Sequence, residues 1–195
     1  MTKTLTTAGA AILSITGAEA QTKWNFDKAH TKVEFTVQHL VITEVSGNFK
    51  IFDGSVVSPS EDFSGSDIQF VVDIASINTD NADRDNHLKS DDFFNADKFP
   101  KMTFKSTSFK KVSGKNYQLT GDLTIRDITK SVTFDVTYNG IANDPWGNTK
   151  AGFKLTGKIN RFDYNLKWNT LTELGGAVVG ETIEITARVE LDKAK

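Results

Sequence analysis

From His30 onward, apolar residues stand at every second position with polar ones between, and turn residues interrupt the pattern after roughly ten positions, the period of half-buried β-strands. Val33, Phe35 and Val37 share one face of the first predicted strand, against Lys32, Glu34, Thr36 and Gln38. Phe49 and Ile51 lead the second, where Phe52 breaks phase as at a bulge. Ile68, Phe70, Val72 and Ile74 form the third, and Met102 and Phe104 begin the fourth. Tyr117, Leu119, Leu123 and Ile125 mark the fifth, and Val132, Phe134, Val136 and Tyr138 the sixth. Phe153, Leu155 and Ile159 make the seventh, and Ile183, Ile185, Ala187, Val189 and Leu191 the eighth. Asp53-Gly54, Ser64-Gly65, Ser113-Gly114, Asn139-Gly140 and Asp144-Pro145-Trp146-Gly147 favour chain reversal between them, and such short connections imply antiparallel pairing.

About eight strands with one apolar face each must bury that face, either by packing two sheets or by closing one sheet on itself. Closure also removes exposed edges. The 14 phenylalanines concentrated on the apolar faces favour a barrel, as do Gly121 and Gly157, which fall in the inward phase and leave room there. A sandwich with a dry aromatic core remains the other solution.

One segment departs from alternation. Residues 80–92 suit a short helix, with Asp80 as N-cap, Asp83 in the acidic first turn, and Asp85 and Lys89 four apart in the favourable order. Its apolar positions are Ala82 and Leu88, too few for a core helix, so it lies on a surface or over an opening. Phe93 and Phe94 follow where they can anchor it, and Leu88, Phe93 and Phe94 are the candidate lid residues.

The remaining composition mostly excludes. The chain has 195 residues, 23 basic against 25 acidic, and no basic stripe, which argues against nucleic acid as a partner. Cysteine is absent, and His30 and His39, nine residues apart on one extended segment, stand about 30 Å from each other, so no metal site is expected. There is no G-x-S-x-G elbow, no dinucleotide fingerprint and no convincing carboxylate pair, and hence no catalytic residue to nominate. Residues 1–20 carry Lys3, a weakly apolar run and Ala18-Glu19-Ala20, which reads as a secretory signal peptide. Nothing approaches the roughly 18 apolar residues of a transmembrane segment. A single exported domain over residues 21–195 is the expectation, periplasmic or secreted.

Six stretches in order, "HTKVEFTVQHL", "VSGNFKIFDG", "RDNHLKSDDFFNADKFPKMTFKST", "GDLTIRDITKSVTFDV", "GFKLTGKINRFDY" and "VVGETIEITARVEL", resemble the YceI family of bacterial exported proteins. The resemblance implies an all-β fold, an eight-stranded antiparallel lipocalin-like β-barrel with one short helical insert. It also implies non-catalytic binding, transport or sequestration of a polyisoprenoid, a quinone-like or a similar long-chain lipid, with no other cofactor. On that reading Val33, Phe35, Val37, Phe49, Phe70, Val72, Phe104, Leu123, Ile125, Phe134, Val136, Phe153, Ile159 and Ile185 contact the tail. Arg84, Asn86, His87, His39 and Arg161 are head-group candidates by family position and donor capacity. Asp163-Tyr164-Asn165 and Asp127 stand where the family usually has glycine after Asp-Phe and in the "LTIRD" turn. Two other readings stay open at this point: an enzyme of undetermined reaction using the charged segment 84–94, and a ligand-free β-sandwich acting as an interaction module. The oligomeric state is likewise open between monomer and homodimer.

Overall fold

A computed structural model describes residues 21–171 and 177–195; the stretch read as a signal peptide lies outside the described residues. The strands are β1 (Thr22–Phe26), β2 (Lys32–His39), β3 (Thr43–Phe49), β4 (Phe52–Ser58), β5 (Asp67–Asp73), β6 (Ile77–Asn78), β7 (Lys101–Ser113), β8 (Asn116–Ile125), β9 (Ile128–Asn143), β10 (Thr149–Asn160) and β11 (Val179–Lys193). The helix α1 (Ala82–Lys89) lies between β6 and β7, and short 3-10 turns cover Ile74–Ser76 and Arg161–Tyr164.

Six of these segments are halves of broken wall strands. β11 pairs with β1 through Phe26↔Leu191 and with β2 through Val33↔Ala187, so β1 and β2 form one wall strand interrupted at residues 27–31. In the same way β3 and β4 are joined across Lys50 and Ile51, and β5 and β6 across the 74–76 turn. The wall then runs β1/β2, β3/β4, β5/β6, β7, β8, β9, β10, β11 and closes on itself, an eight-stranded antiparallel barrel. This is the closed alternative of the two that alternation allows, and the sandwich is set aside.

The breaks explain where the pattern misled. The first wall strand begins at Thr22, not His30, and its outer half carries Trp24 and Phe26. Ile51 does not continue the face of Phe49: it is 61% exposed, while Phe52 takes the inner place at 6%. Asp53-Gly54 is inside β4, and Asn139-Gly140 is a bulge inside β9, where Gly140 has φ 127° and the register shifts opposite Gly152 and Phe153. The helix is capped by Asn81, whose Oδ1 accepts from the Arg84 amide at 2.9 Å, while Asp80 sits in the left-handed region at φ 59° and cannot cap it. Asp85 turns away from Lys89 and accepts from the Thr79 amide and hydroxyl at 2.8 and 2.6 Å, which ties α1 back to β6.

The interruption at residues 27–31 is held by charge as well as backbone. The Asp27 amide donates to the Glu190 carbonyl, and the Thr31 hydroxyl both donates to that carbonyl and accepts from the Glu190 amide. The Lys150 ammonium lies 2.8 Å from Asp27, 3.3 Å from Glu190 and 2.6 Å from Asp192. Burial opposes the charge on Asp27, but Lys150, His30 and the Ala29 and His30 amides outweigh it and hold the carboxyl well below the usual carboxylate range. A carboxyl depressed in the folded state contributes stability that is complete above its unfolded value near 4 and is lost as pH falls further. Asp27→Asn is therefore expected to destabilise the protein by about 2 kcal/mol at neutral pH and to flatten the fall of its melting midpoint between about pH 5 and pH 3. Thermal melts across that range check it, and equal acid slopes in the two proteins would rule Asp27 out as the group responsible.

Candidate functional site

The inward faces enclose an apolar lumen. Its cavity measures about 160 Å³ and is lined from every wall strand, almost wholly by hydrocarbon and aromatic groups that include Phe26, Phe70, Phe104, Phe134 and Phe153.

Glycines in the wall decide how much of this space is free. Gly121 and Gly157 do not simply leave room, as the inward phase suggests, because neighbouring rings have taken it. A Cβ on Gly121 would meet Phe104 Cζ at 2.4 Å, and one on Gly157 would meet Phe134 Cδ1 at 2.4 Å. Phe35 covers Gly47 in the same manner, with Cζ 2.5 Å from the Cβ position. Each ring thus lies flat against the wall over a glycine instead of projecting across the barrel.

The two ends of the barrel differ. One is sealed by aromatic packing: Phe63, from the loop after β4, meets Trp24 at 5.1 Å and Phe153 at 5.0 Å between ring centroids, and Phe109 stacks on Tyr117 at 5.0 Å. The Tyr117 hydroxyl donates to the Asp62 carbonyl at 2.7 Å and pins that loop over the end.

At the other end β6 pairs only with β3, and α1 with residues 90–100 fills the side that β7 leaves uncovered. Phe93 is 6% exposed and packs with Leu123, Ile125, Tyr164 and Leu166, while Leu88 and Phe94 bridge this cluster to a second one around Phe49, Phe52 and Ile77. All three candidate lid residues therefore lie in the packing that covers this end.

Two arginines hold the segments at this end together. Arg126, at the tip of the β8–β9 hairpin, donates through Nη1 to the carbonyls of Asp91 (3.0 Å), Phe93 (2.7 Å) and Asn165 (2.9 Å), and through Nη2 to the Asp91 carboxylate at 3.0 Å. Arg161 is 2% exposed. Its Nε donates to the Gly180 carbonyl at 2.8 Å, its Nη1 to those of Leu166 and Trp168, and its Nη2 to that of Val179 at 3.1 Å. Burial lowers the pKa of the guanidinium from its ordinary value.

The tail candidates divide accordingly. Val33, Phe70, Val72, Phe104, Leu123, Phe134, Val136, Phe153 and Ile185 line the cavity. Phe35 and Phe49 pack in the cluster below α1, and Ile125 and Ile159 in the cluster around Phe93; Val37 stands on β2 near its hairpin end and is not part of the lining. Alternation overlooked Phe26 because β1 is so short, and Phe63 because it comes from a loop, where no period exists to read. Val56, Ile68, Met102, Leu119, Leu155 and Val189 share the inward phase and line the cavity too.

The head-group candidates do not converge. Arg84 donates to the hydroxyl and carbonyl of Thr79 at 2.8 and 2.7 Å. His87 Nε2 lies 2.8 Å from Asp92 Oδ2, and its ring stands edge-on to Phe93 and Trp168. Asn86 is exposed on α1, His39 closes β2 opposite Thr43, and the Arg161 donors are engaged with backbone carbonyls inside the protein. Asp27, His30 and Glu190 are grouped as metal ligands are, but the Lys150 ammonium already lies against two of them. Among the described residues no helix is long and apolar enough to cross a membrane.

Asp127 and Asn165, the residues that replace common glycines, both adopt left-handed backbone, at φ 60° and 57°. Asx side chains tolerate that region better than most. Both departures therefore keep the chain path a glycine would take.

Comparison with known proteins places this architecture. UPF0312 protein SAS2572 of Staphylococcus aureus (strain MSSA476) is 42% identical over 172 residues, 87% of this chain and 96% of that one. The crystal structure of the Campylobacter jejuni YCEI protein, 35% identical, covers 87% of this chain and 96% of its own with a TM-score of 0.69. A polyisoprenoid binding domain from Saccharophagus degradans shares the fold at a TM-score of 0.66 and 13% identity, covering 88% of this chain and 98% of its own. The YceI-like domain model matches residues 24–191, nearly all of the barrel, and the chain belongs to that family.

Proposed function

We propose that the protein binds a long apolar amphiphile, an isoprenoid or a prenylated quinone, with its tail in the lumen, and carries or sequesters it without catalysing a reaction. The observation that carries this reading is the lumen itself: an interior cavity of about 160 Å³ whose walls offer a tail almost nothing polar. The Saccharophagus degradans domain, which binds a polyisoprenoid, has the same barrel fold. The charged groups of α1 lend the enzyme reading no comparable support, since Arg84 and Asp85 both turn onto Thr79 and His87 onto Asp92. Exported, in the periplasm or outside the cell, such a protein would move or hold lipids that water alone cannot carry.

The volume sets a condition. A cavity of about 150 Å³ admits a benzene-sized guest, so the resting lumen takes about one isoprene unit. A longer tail enters by turning lining rings such as Phe70 aside. Moving a ring off its preferred rotamer costs about 0.5–1.5 kcal/mol, whereas a dozen buried methylenes bring about 10 kcal/mol gross before the costs of association. Several rings can therefore move for one ligand, and the cover of Leu88, Phe93 and Phe94 is the proposed gate.

Denaturing the protein as purified from an exporting host and running mass spectrometry on the organic extract tests the reading. A near-stoichiometric isoprenoid or quinone is expected. An empty extract, together with no calorimetric response to geraniol, farnesol or geranylgeraniol, would overturn it.

A further inference from the structure

The Tyr164 hydroxyl is buried and has no hydrogen-bond partner among the described residues. The residue is 1% exposed and packs against Phe93, Leu123, Ile125 and Leu166. A phenyl ring would fill that space equally well, whereas a buried hydroxyl left without a partner destabilises the fold. The hydroxyl is therefore a standing liability of the free protein.

Its position is fixed with unusual care. Tyr164 ends the 3-10 turn that begins at Arg161, and the Arg161 guanidinium holds that turn to the carbonyls of Leu166, Trp168, Val179 and Gly180. Leu123, Met102 and Phe104 belong both to the lumen wall and to the cluster that holds Tyr164, so the phenol and the cavity share packing neighbours. Burial, helped by the Asp163 charge, pushes its pKa up to about 12, so it keeps its proton at any physiological pH and remains a donor.

Resting on the lumen reading above, we infer that Tyr164 is the head-group anchor: its hydroxyl donates to a single neutral oxygen, a carbonyl or alcohol, at the head of a prenyl chain whose tail lies in the barrel. A diphosphate head does not suit this place. Two or more negative charges need several donors or a cation, and the neighbours of the phenol are hydrocarbon, with Arg161 turned to backbone carbonyls and the Asp163 carboxylate nearby. The lumen selects for a tail, and Tyr164 selects among heads.

Calorimetric titration of the wild type and Tyr164→Phe with farnesol, farnesane and farnesyl diphosphate tests the anchor, alongside melting of both unliganded proteins. The wild type is expected to bind farnesol about 10-fold more tightly than the variant does, with farnesane unchanged between them and the diphosphate weaker than the alcohol for both. The unliganded variant should melt at the wild-type temperature or above. A variant that binds farnesol as the wild type does, or that melts lower when unliganded, overturns the anchor alone and leaves the lumen reading standing. If the wild type binds none of the three, the lumen reading falls and the anchor falls with it.

Discussion

Arg161→Met is expected to destabilise the protein by about 3–5 kcal/mol, a large part of the 5–15 kcal/mol that holds a typical domain folded. The methionine fills much of the volume, so the loss does not come from packing. It comes from the carbonyls of Leu166, Trp168, Val179 and Gly180, which the guanidinium satisfies together in a place where its own side chain is 2% exposed. Leu166 and Trp168 lie just after the chain leaves β10, and Val179 and Gly180 begin β11, so one side chain clamps both ends of the excursion between those strands. Lysine keeps the charge but not the planar fork, and cannot reach carbonyls on two separate segments at once. Arg161→Lys should recover less than half of the loss. Urea unfolding reads both variants, and an Arg161→Met midpoint within about 0.5 kcal/mol of wild type would sink the clamp.

Arg161 also marks the limit of what was legible in the chain. Its donor capacity can be counted from the residue type, and that count together with its position in the family pattern made it a head-group candidate. The oxygens the donors meet belong to Leu166, Trp168, Val179 and Gly180, and no local pattern announces them. The strands were legible for the opposite reason: alternation is a local signal, and it located the inward faces of β5, β8, β9, β10 and β11 residue by residue. It failed at the breaks, where Ile51 and Phe52 exchange faces and where Trp24 and Phe26 belong to a half-strand too short to show a period. The cover was legible as a surface segment rich in charge and ending in two phenylalanines. That its charges face Thr79 and Asp92, not a ligand, depends on turns whose backbone the sequence does not spell out. Tyr164 stood out at first only as a departure near a family glycine; its hydroxyl became informative once its surroundings were known.

Gly157→Ala is expected to weaken binding of farnesol by about 100-fold while costing about 1–3 kcal/mol of stability. The new methyl would stand 2.4 Å from Phe134 Cδ1, closer than Cβ atoms come in real structures, and 3.0 Å from Cε1, and the three atoms nearest to it all belong to that one ring. The ring must therefore leave the wall, and Phe134 borders the cavity, so the space open to it is the lumen. A cavity of about 160 Å³ cannot take in much of a phenyl ring and still admit a prenyl chain. Gly121 is the poorer test, because a Cβ there would also press on the Lys105 carbonyl at 2.5 Å and distort the β7–β8 pairing itself. The interaction is checked by a second change: Phe134→Leu in the Gly157→Ala background shortens the displaced side chain and should restore much of the affinity, so the two substitutions are strongly non-additive. Binding unchanged by Gly157→Ala would mean that the ligand sits elsewhere, and recovery absent from the double variant would mean that the glycine matters for the wall and not for the ring that rests on it.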